Sequence, residues 1–265
     1  MAETKIQWCS TPLPDGFVHP GWTFNTHWGC NEVSAECDNC YARILAKRWG
    51  FDIWGKETPR RFFGVDHWNK LFKYNKEAEK IQTRLKVFTN SMSDIFEPRK
   101  DLDEVRKKLF ETIEQTGWLN YLVLTKHPNR ILGNSPAILP GNVWLGTSVG
   151  VDKSRWRIPK IQAIDANVRF LSLEPLLQPL PDLDLSGIHW AVIGGESGSK
   201  RRPCELDWIF DLVQQCQKAG VAPFVKQLGT DLAKRMKLKD SKGGDITEWP
   251  VELQIREFPK ENQTF

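Results

Sequence analysis

The residues best suited to chemistry are three cysteines clustered within eleven positions, in the spacing Cys30-x6-Cys37-x2-Cys40. A disulfide uses two thiols and leaves one over, and a catalytic thiol needs no two close companions. A structural zinc site needs four ligands, and His27 or Cys9 is then the candidate for the fourth. A [4Fe–4S] cluster on three thiolates leaves one iron open to bind a substrate or cofactor. The cluster is the favoured interpretation, and a zinc site remains the alternative.

Short apolar runs that end in small or polar residues predict the strands that must position these cysteines. They lie near "GWTFNTHWG" and at Arg84–Asp94, Asn120–Pro128, Asn142–Val149, Asn167–Pro175, Ile188–Gly198 and Ala222–Gly229. Amphipathic segments predict helices at "DLDEVRKKLFETIEQTG", at "ELDWIFDLVQQCQKAG" with Gly220 as C-cap, and at "SRWRIPKIQAID", which Pro159 interrupts. This alternation predicts an α/β fold with about seven parallel strands, a partial (β/α)6-type parallel barrel or incomplete TIM barrel.

Polar side chains follow the predicted strands, and in a parallel barrel all these strand ends open on one face. Asp, Asn and Gly also occur after strands as turn formers and helix caps, so each of them has a structural explanation as well as a functional one. Long charged side chains have no such role, and we therefore predict a cleft at Lys126, Glu174, Glu196 and Lys226. The two glycines of "VIGGESG" are expected to admit a ligand close to the backbone or to adopt positive φ.

Composition predicts an ordinary soluble protein, with 265 residues, 40% hydrophobic and 26% charged. We expect a single domain over residues 1–265, with a lysine-rich C-terminal extension from about residue 230 that forms a surface loop before a short last element at 249–258. The polar start "MAETKIQWC" and the lack of a long apolar run predict a cytoplasmic protein with no membrane partner. The net charge of +4 is compatible with a nucleic-acid partner.

Three clustered cysteines ahead of a parallel barrel resemble the radical S-adenosylmethionine (SAM) superfamily, whose usual spacing is C-x3-C-x2-C with an aromatic residue before the third cysteine. Here the first gap is six residues, and Asn39 stands at the aromatic position. "CDNCYAR", "SMSDIFEP" and "LVLTKHPNRIL" resemble segments of the spore photoproduct lyase and DNA-repair-photolyase-like branch. "GCNEVSAECDNCYA", "SMSDIF", "LTKHP", "WLGTSV", "FLSLEPLL", "IGGESG" and "FVKQLG" are similar to a phage- and bacteria-encoded three-Cys-motif family of unknown function.

The radical SAM resemblance implies a [4Fe–4S] cluster on Cys30, Cys37 and Cys40, with S-adenosyl-L-methionine as the second cofactor. It also implies the SAM contacts, which by position are Tyr41, Asn90, Ser91, Asp94, Ser148, Ser172 and Glu174. The implied activity is reductive cleavage of SAM to a 5′-deoxyadenosyl radical. An electron donor such as flavodoxin or ferredoxin would be required, in the host cell cytoplasm if the protein is phage-encoded.

The favoured function is therefore a radical SAM enzyme that acts on a nucleic acid or nucleotide. Trp22, Trp28, Trp54 and Trp68 lie near the cysteines and could stack a base, although core packing accounts for each of them singly. A radical SAM enzyme for a small molecule or peptide is one alternative. A non-catalytic iron–sulfur or zinc-binding protein, such as a phage regulator, is the other. The sequence leaves the reaction and the oligomeric state open.

Overall fold

The structure is a computed structural model and describes residues 4–260. The strands are β1 (Thr11–Pro12), β2 (Val18–His19), β3 (Trp22–Phe24), β4 (His27–Trp28), β5 (Arg61–Phe62), β6 (Leu85–Thr89), β7 (Leu119–Thr125), β8 (Val143–Ser148), β9 (Val168–Leu173), β10 (Trp190–Gly194) and β11 (Ala222–Gln227). The α-helices are α1 (Tyr41–Arg48), α2 (Val65–Lys80), α3 (Asp103–Glu114), α4 (Arg157–Gln162), α5 (Leu206–Ala219) and α6 (Thr230–Arg235). Short 3-10 helices cover Gln7–Cys9, Ala35–Cys37, Lys100–Leu102, Pro128–Arg130, Asp152–Ser154, Ile246–Glu248 and Val251–Leu253.

The main sheet has seven strands in the order β11-β10-β9-β8-β7-β6-β3. Successive strands of this sheet are thus neighbours in it, with the separate β4–β5 pair inserted between β3 and β6, and their pairing is parallel, as where Trp22 lies opposite Val87. Strands β6 and β10 are buried at every position, which is typical of parallel strands covered on both faces. The predicted strands and the predicted α/β fold, a partial (β/α)6-type parallel barrel, are confirmed.

The chain divides into two compact units, and the first comprises residues 4–32, 42–145 and 164–167. Its core is rich in aromatic rings: Trp22 stacks on Tyr74 with ring centroids 4.2 Å apart, and Phe24 meets Trp68 edge to face. Helix α2 supplies Trp68 and Tyr74 and is additional to the predicted helices, whereas α3 is a predicted one.

The second unit comprises residues 33–41, 146–163 and 168–260. Helix α5 buries Ile209, Leu212, Val213 and Cys216, the stripe that its sequence predicts. It ends at Gly220, which has a left-handed φ of 69° and is the predicted C-cap.

One sequence prediction in the second unit is wrong, and another holds only in part. Pro159 does not interrupt α4, because it lies in the first turn, where a backbone N–H has no partner within the helix. The lysine-rich segment begins as helix α6, in which Leu232 and Ala233 are buried, and then continues as the predicted loop, without helix or strand over residues 236–245. The predicted last element appears as the 3-10 helix Val251–Leu253.

The remaining domain prediction, a single domain over residues 1–265, stays a prediction, and its ends lie outside the described residues. No helix within residues 4–260 has the length and apolar character needed to span a membrane.

Candidate functional site

The backbone that leads to Cys30 is held by the loop that follows β6. The Asn90 N–H donates to the Phe24 carbonyl at 2.7 Å, and the Asn90 Oδ1 accepts from the Thr26 N–H at 3.0 Å. Asn90 is buried and has a φ of 62°, in the left-handed region that asparagine tolerates better than most residues. This predicted SAM contact therefore also fixes the segment just before Cys30.

The next residues of the same loop continue this pairing. The Asn25 side chain donates from Nδ2 to Ser91 Oγ at 3.1 Å and accepts at Oδ1 from the Met92 N–H at 2.7 Å. Ser93 Oγ then donates to the His27 carbonyl at 2.8 Å. Part of the "SMSD" motif is thus used to align the cysteine-bearing segment, and a contact between Ser91 and SAM stays a prediction.

The turn into Cys30 requires glycine at position 29. Gly29 has a φ of 109°, and a Cβ there would lie 2.4 Å from the Ile53 carbonyl oxygen. Its N–H donates to the Met92 carbonyl at 3.1 Å, and the Cys30 carbonyl accepts from the Gly55 N–H at 3.0 Å. Cys30 is therefore held between two loops of the first unit.

A buried ion pair holds the second of these loops. Arg60 donates from Nε to Glu97 Oε2 at 3.0 Å and from Nη2 to Oε1 at 2.5 Å. Its remaining donors bind backbone carbonyls, those of Ile53, Gly55 and Thr58. Removal of one partner from such a pair typically costs about 3–5 kcal/mol, because the other charge stays buried.

A cavity of about 210 Å³ lies beside this loop in the first unit. Its walls carry both signs of charge, with Arg43 in an ion pair with Glu32. It is lined by Asn31, Glu32, Arg43, Lys47, Asp52, Trp54 and Gly55. Asn31 and Glu32, which follow Cys30 directly in the chain, line this cavity. The cavity can therefore receive a polar ligand near the Cys30 thiol.

Asp94, predicted to receive the methionine amino group of SAM, joins the ends of β6 and β7. Its Oδ1 accepts from Thr125 Oγ1 at 2.8 Å, and its Oδ2 accepts from the Lys126 N–H at 2.8 Å. The carboxylate is buried, and Lys126 is half-buried. The structure therefore brings two predicted site residues together, although through the backbone of Lys126.

In the second unit, Glu36 anchors the loop that carries Cys37. Its Oε1 accepts from Arg157 Nη1 at 3.3 Å and from the Gly150 N–H at 3.1 Å, and both side chains are buried. Burial raises the pKa of Glu36, but hydrogen bonds from Ser154 and Ser34 outweigh this effect and leave the pKa below its ordinary value. Glu36 thus stays ionised beside Arg157.

Glu196 of the "IGGESG" motif anchors the other side of the same loop. Its Oε2 accepts from Asn39 Nδ2 at 3.1 Å, and Arg202 Nη2 donates to its Oε1 at 2.7 Å. Arg202 also donates to Asp38 Oδ2 at 3.0 Å and to the Ala35 carbonyl at 2.8 Å. Glu196 is 7% exposed, so this predicted cleft residue is a buried support for the residues between Cys37 and Cys40.

Glu174 and Lys226 form an ion pair at the ends of β9 and β11. Lys226 Nζ lies 2.8 Å from each carboxylate oxygen of Glu174, and both side chains are half-buried. Ser148 and Ser172 are buried at the ends of β8 and β9. Tyr41 is 55% exposed at the start of α1. SAM contacts at these positions stay predictions.

The glycines of "IGGESG" have a different role from the one expected. A Cβ on Gly195 would lie 2.2 Å from the Leu228 carbonyl oxygen, so the close neighbour is the chain's own backbone. Neither Gly194, the last residue of β10, nor Gly195 has the positive φ that was the other expected use of these glycines.

The six cysteines fall into two groups. Burial raises the pKa of Cys9, Cys204 and Cys216 to about 12, and each is at most 1% exposed. By contrast, Cys30 and Cys40 are half-buried, and Cys37 is 9% exposed. Cys37 and Cys40 form no disulfide within residues 4–260.

The donor chemistry of Cys30, Cys37 and Cys40 fits a [4Fe–4S] cluster, because each of the three free thiols can supply a thiolate ligand to iron. The fourth ligand of the zinc alternative fits less well. Cys9 is bound in the core to the Trp22 carbonyl, and His27 is fully buried with its Nδ1 hydrogen-bonded to Thr26 Oγ1. Within residues 4–260 no three His, Cys, Asp or Glu side chains are already arranged to hold a metal ion.

The anchoring residues Arg60, Glu97, Arg157 and Arg202 are functional candidates that sequence reasoning missed. Glu97 is inside the quoted "SMSDIFEP" motif, and this is the one signal that could have drawn attention to it. The partners of Arg60 and Arg157 lie 37 and 121 residues away, so no local pattern marks these arginines.

Comparison with solved structures finds two of spore photoproduct lyase. One is a variant with bound AdoMet and dinucleoside spore photoproduct, at a TM-score of 0.45 and 13% identity over 81% of this chain and 65% of that one. The other is complexed with dinucleoside spore photoproduct, at a TM-score of 0.44 and 14% identity over 73% and 60%. The chain spans less than two thirds of each of these proteins.

Comparison with curated proteins finds no match. A family described as "Protein of unknown function (DUF5131)" matches residues 3–250, which is nearly the whole sequence. The chain belongs to this DUF5131 family.

Proposed function

We propose that this protein is an iron–sulfur radical SAM-type enzyme, with Cys30, Cys37 and Cys40 as cluster ligands and a nucleic acid or nucleotide as substrate. One observation carries the proposal. Of the six cysteines, these three cluster within eleven residues of sequence, on segments that buried ion pairs and side-chain amides hold in place. The other three have a pKa of about 12, which disfavours the thiolate that binds iron.

The chemistry that such a cluster supplies is one-electron reduction of the SAM sulfonium, which breaks a carbon–sulfur bond to give methionine and a 5′-deoxyadenosyl radical. Flavodoxin, ferredoxin or dithionite is the reductant. The protein's own task is to hold the thiols. Glu36 and Glu196 do so for Cys37 and Cys40, and Gly29 does so for Cys30.

The proposed SAM contacts are Tyr41, Asn90, Ser91, Asp94, Ser148, Ser172 and Glu174, with Lys126 and Lys226 as cleft cations. Two of the carboxylates already have partners: Asp94 accepts from Thr125, and Glu174 binds Lys226. These bonds fix the position of each carboxylate, and a carboxylate is the type of group that binds a cationic ligand such as the methionine ammonium. They also mean that SAM must share these acceptors with the chain.

The test is anaerobic reconstitution with iron and sulfide, followed by reaction with SAM and dithionite. We expect a brown protein that releases 5′-deoxyadenosine, and more of it when single-stranded DNA, RNA or nucleotides are present. Cys37→Ala should lose iron and this product. Cys216→Ala is the control, because that buried thiol lies within α5 and should leave both unchanged.

Three results would change the assignment. Release of 5′-deoxyadenosine by the Cys37→Ala variant would contradict the assignment of the three cysteines as cluster ligands. A colourless protein that retains zinc would favour the non-catalytic alternative. Product release that nucleic acids and nucleotides leave unchanged would favour a small molecule or peptide as substrate.

A further inference from the structure

An exposed ribbon in the first unit carries aromatic rings around an arginine. Strands β4 and β5 are antiparallel, and Trp28 lies directly opposite Arg61. Directly opposed residues share a face of a two-stranded ribbon, and so do residues two apart along one strand. Trp28, Arg61 and Phe63 therefore share one face, while His27, which is buried, and Phe62, which is 43% exposed, share the other.

The guanidinium of Arg61 lies among the rings on this face. It is 4.8 Å from the ring centroid of Trp28, 4.3 Å from that of Phe51 and 5.4 Å from that of Phe63. Trp49 stacks on Trp28 with centroids 5.1 Å apart and planes 24° apart. We call these five residues, Trp28, Trp49, Phe51, Arg61 and Phe63, the aromatic–arginine surface.

This surface is accessible, unlike most of the aromatic core. Trp49 is 48% exposed and Arg61 is exposed, whereas Trp22 and Trp68 are 3% and 4% exposed. Core packing therefore accounts for Trp22 and Trp68 and leaves them unable to stack a base. Trp49, the outer ring of the Trp28–Trp49 stack, is exposed and is therefore free to stack a base.

Positive charge flanks the rings. Lys47 and Arg48 are exposed in the last turn of α1, immediately before Trp49. With Arg61, which lies over the Trp28 ring, they give this part of the first unit three exposed cations. Exposed rings interleaved with Lys and Arg bind single-stranded nucleic acid, because bases stack on the rings while cations face the phosphates.

We infer that the aromatic–arginine surface binds single-stranded nucleic acid, with a base stacked on Trp49 and phosphates facing Arg61, Lys47 and Arg48. This inference rests on the proposed function and deepens it by naming the substrate class. Trp28 is two residues before Cys30 in the chain, so a strand bound here is held beside a proposed cluster ligand.

The test is fluorescence anisotropy of a labelled oligothymidylate of about 20 nucleotides, which exceeds the site sizes typical of such surfaces. The full-length protein is titrated at several salt concentrations without SAM or reductant. Loss of one stacking ring typically weakens binding about 5-fold or more, so we expect this from Trp49→Ala with the salt dependence unchanged. Arg61→Ala should reduce the slope of log K against log salt by about 0.7, the value for one phosphate contact.

Matched controls separate this surface from general effects. Trp156→Ala removes a tryptophan of equal exposure, 47%, from the second unit and should leave affinity unchanged. Lys107→Ala removes an exposed cation of the first unit and should leave the salt slope unchanged. Arg61→Lys keeps the charge but not the planar group, and should keep the slope while lowering affinity.

The inference is overturned if Trp49→Ala binds like the unmodified protein, if Trp156→Ala weakens binding equally, or if duplex DNA competes as well as single strands. Because binding needs neither SAM nor reductant, the two proposals fail separately. If SAM is cleaved as expected but no oligonucleotide binds, only the nucleic-acid-binding role of the aromatic–arginine surface is refuted. If the oligonucleotide binds as expected but SAM is not cleaved, only the proposed radical SAM reaction is refuted.

Discussion

Asn39 Nδ2 donates a hydrogen bond to Glu196 Oε2 at 3.1 Å, across 157 residues of sequence. Asn39 occupies the position where the radical SAM pattern has an aromatic residue. Here the side chain instead ties the turn between Cys37 and Cys40 to the end of the "IGGESG" strand. The departure from the pattern therefore has a structural use, since a polar side chain is required to reach the carboxylate.

Glu196→Gln is expected to loosen residues 33–41. The amide keeps the shape of the side chain but brings N–H donors against Arg202, so bonds to a charged acceptor are lost. Hydrogen bonds to charged groups contribute about 1.5–3 kcal/mol, and opening of the loop should become about 10-fold or more frequent. Amide hydrogen exchange of residues 33–41, followed by mass spectrometry, measures this.

The control for Glu196→Gln is Glu205→Gln. Glu205 also pairs with an arginine, Arg235 at 2.9 Å, but both side chains are more than 40% exposed. Exposed pairs contribute about 0–1 kcal/mol, so unfolding and exchange should barely change. Equal exchange in the two variants would show that Glu196 does not support the loop.

Gly29→Ala is expected to destabilise the first unit and displace Cys30. The new methyl group would lie 2.4 Å from the Ile53 carbonyl, at a φ of 109° that alanine rarely adopts. We expect a loss of about 2 kcal/mol or more in unfolding free energy, measured by urea denaturation. Gly117→Ala is the control, because no atom lies within 4 Å of a Cβ there. Equal stability of the two variants would contradict the tight turn.

His27 should make stability depend on pH. Burial lowers its pKa in the folded protein from 6.5 to about 3. Between these values the unfolded chain binds a proton that the folded chain does not, so unfolding free energy falls as pH falls below 6.5. His27→Asn should remove up to about 1.4 kcal/mol per pH unit of this dependence. Denaturation between pH 6.5 and about 5, above the carboxylate range, measures the slope, and an unchanged slope in the variant would refute the assignment.

The two groups of cysteines should differ in reactivity. Iodoacetamide at mildly alkaline pH should alkylate Cys30 and Cys40 in the folded, metal-free protein, because the thiolate is the nucleophile and these thiols are half-buried. Cys9, Cys204 and Cys216 should stay unmodified until urea is added. Peptide mass spectrometry gives the order of labelling, and early labelling of Cys204 would contradict its burial.

Local patterns were sufficient to predict the sheet. Each parallel strand is a short run of buried apolar residues, and the stripe on α5 follows the helical period, so neighbours along the chain carry the information. The glycines of "IGGESG" were harder, since the atom that requires Gly195 is the carbonyl oxygen of Leu228, the residue after β11. Helix α6 was missed because it opens a segment in which lysines dominate the composition, and only Leu232 and Ala233 of the helix are buried.

The candidate site was predictable only in part. The spacing of Cys30, Cys37 and Cys40 indicates a ligand set, because such clustering is visible in the sequence itself. The supports of that set are not, since Glu36 and Arg157 are 121 residues apart and each looks like an ordinary surface charge. Likewise, a charged residue at a strand end does not reveal that Glu174 already binds Lys226.

The anchoring of the cysteines also sets an order of events during synthesis. The segment before Cys30 is fixed by partners no further along the chain than Glu97. The loop with Cys37 and Cys40 depends on Arg157, Glu196 and Arg202. Because the ribosome delivers the chain from the N-terminus, this loop lacks its supports until residue 202 has emerged. On the proposed function, metal loading of all three thiols would therefore follow translation of most of the chain.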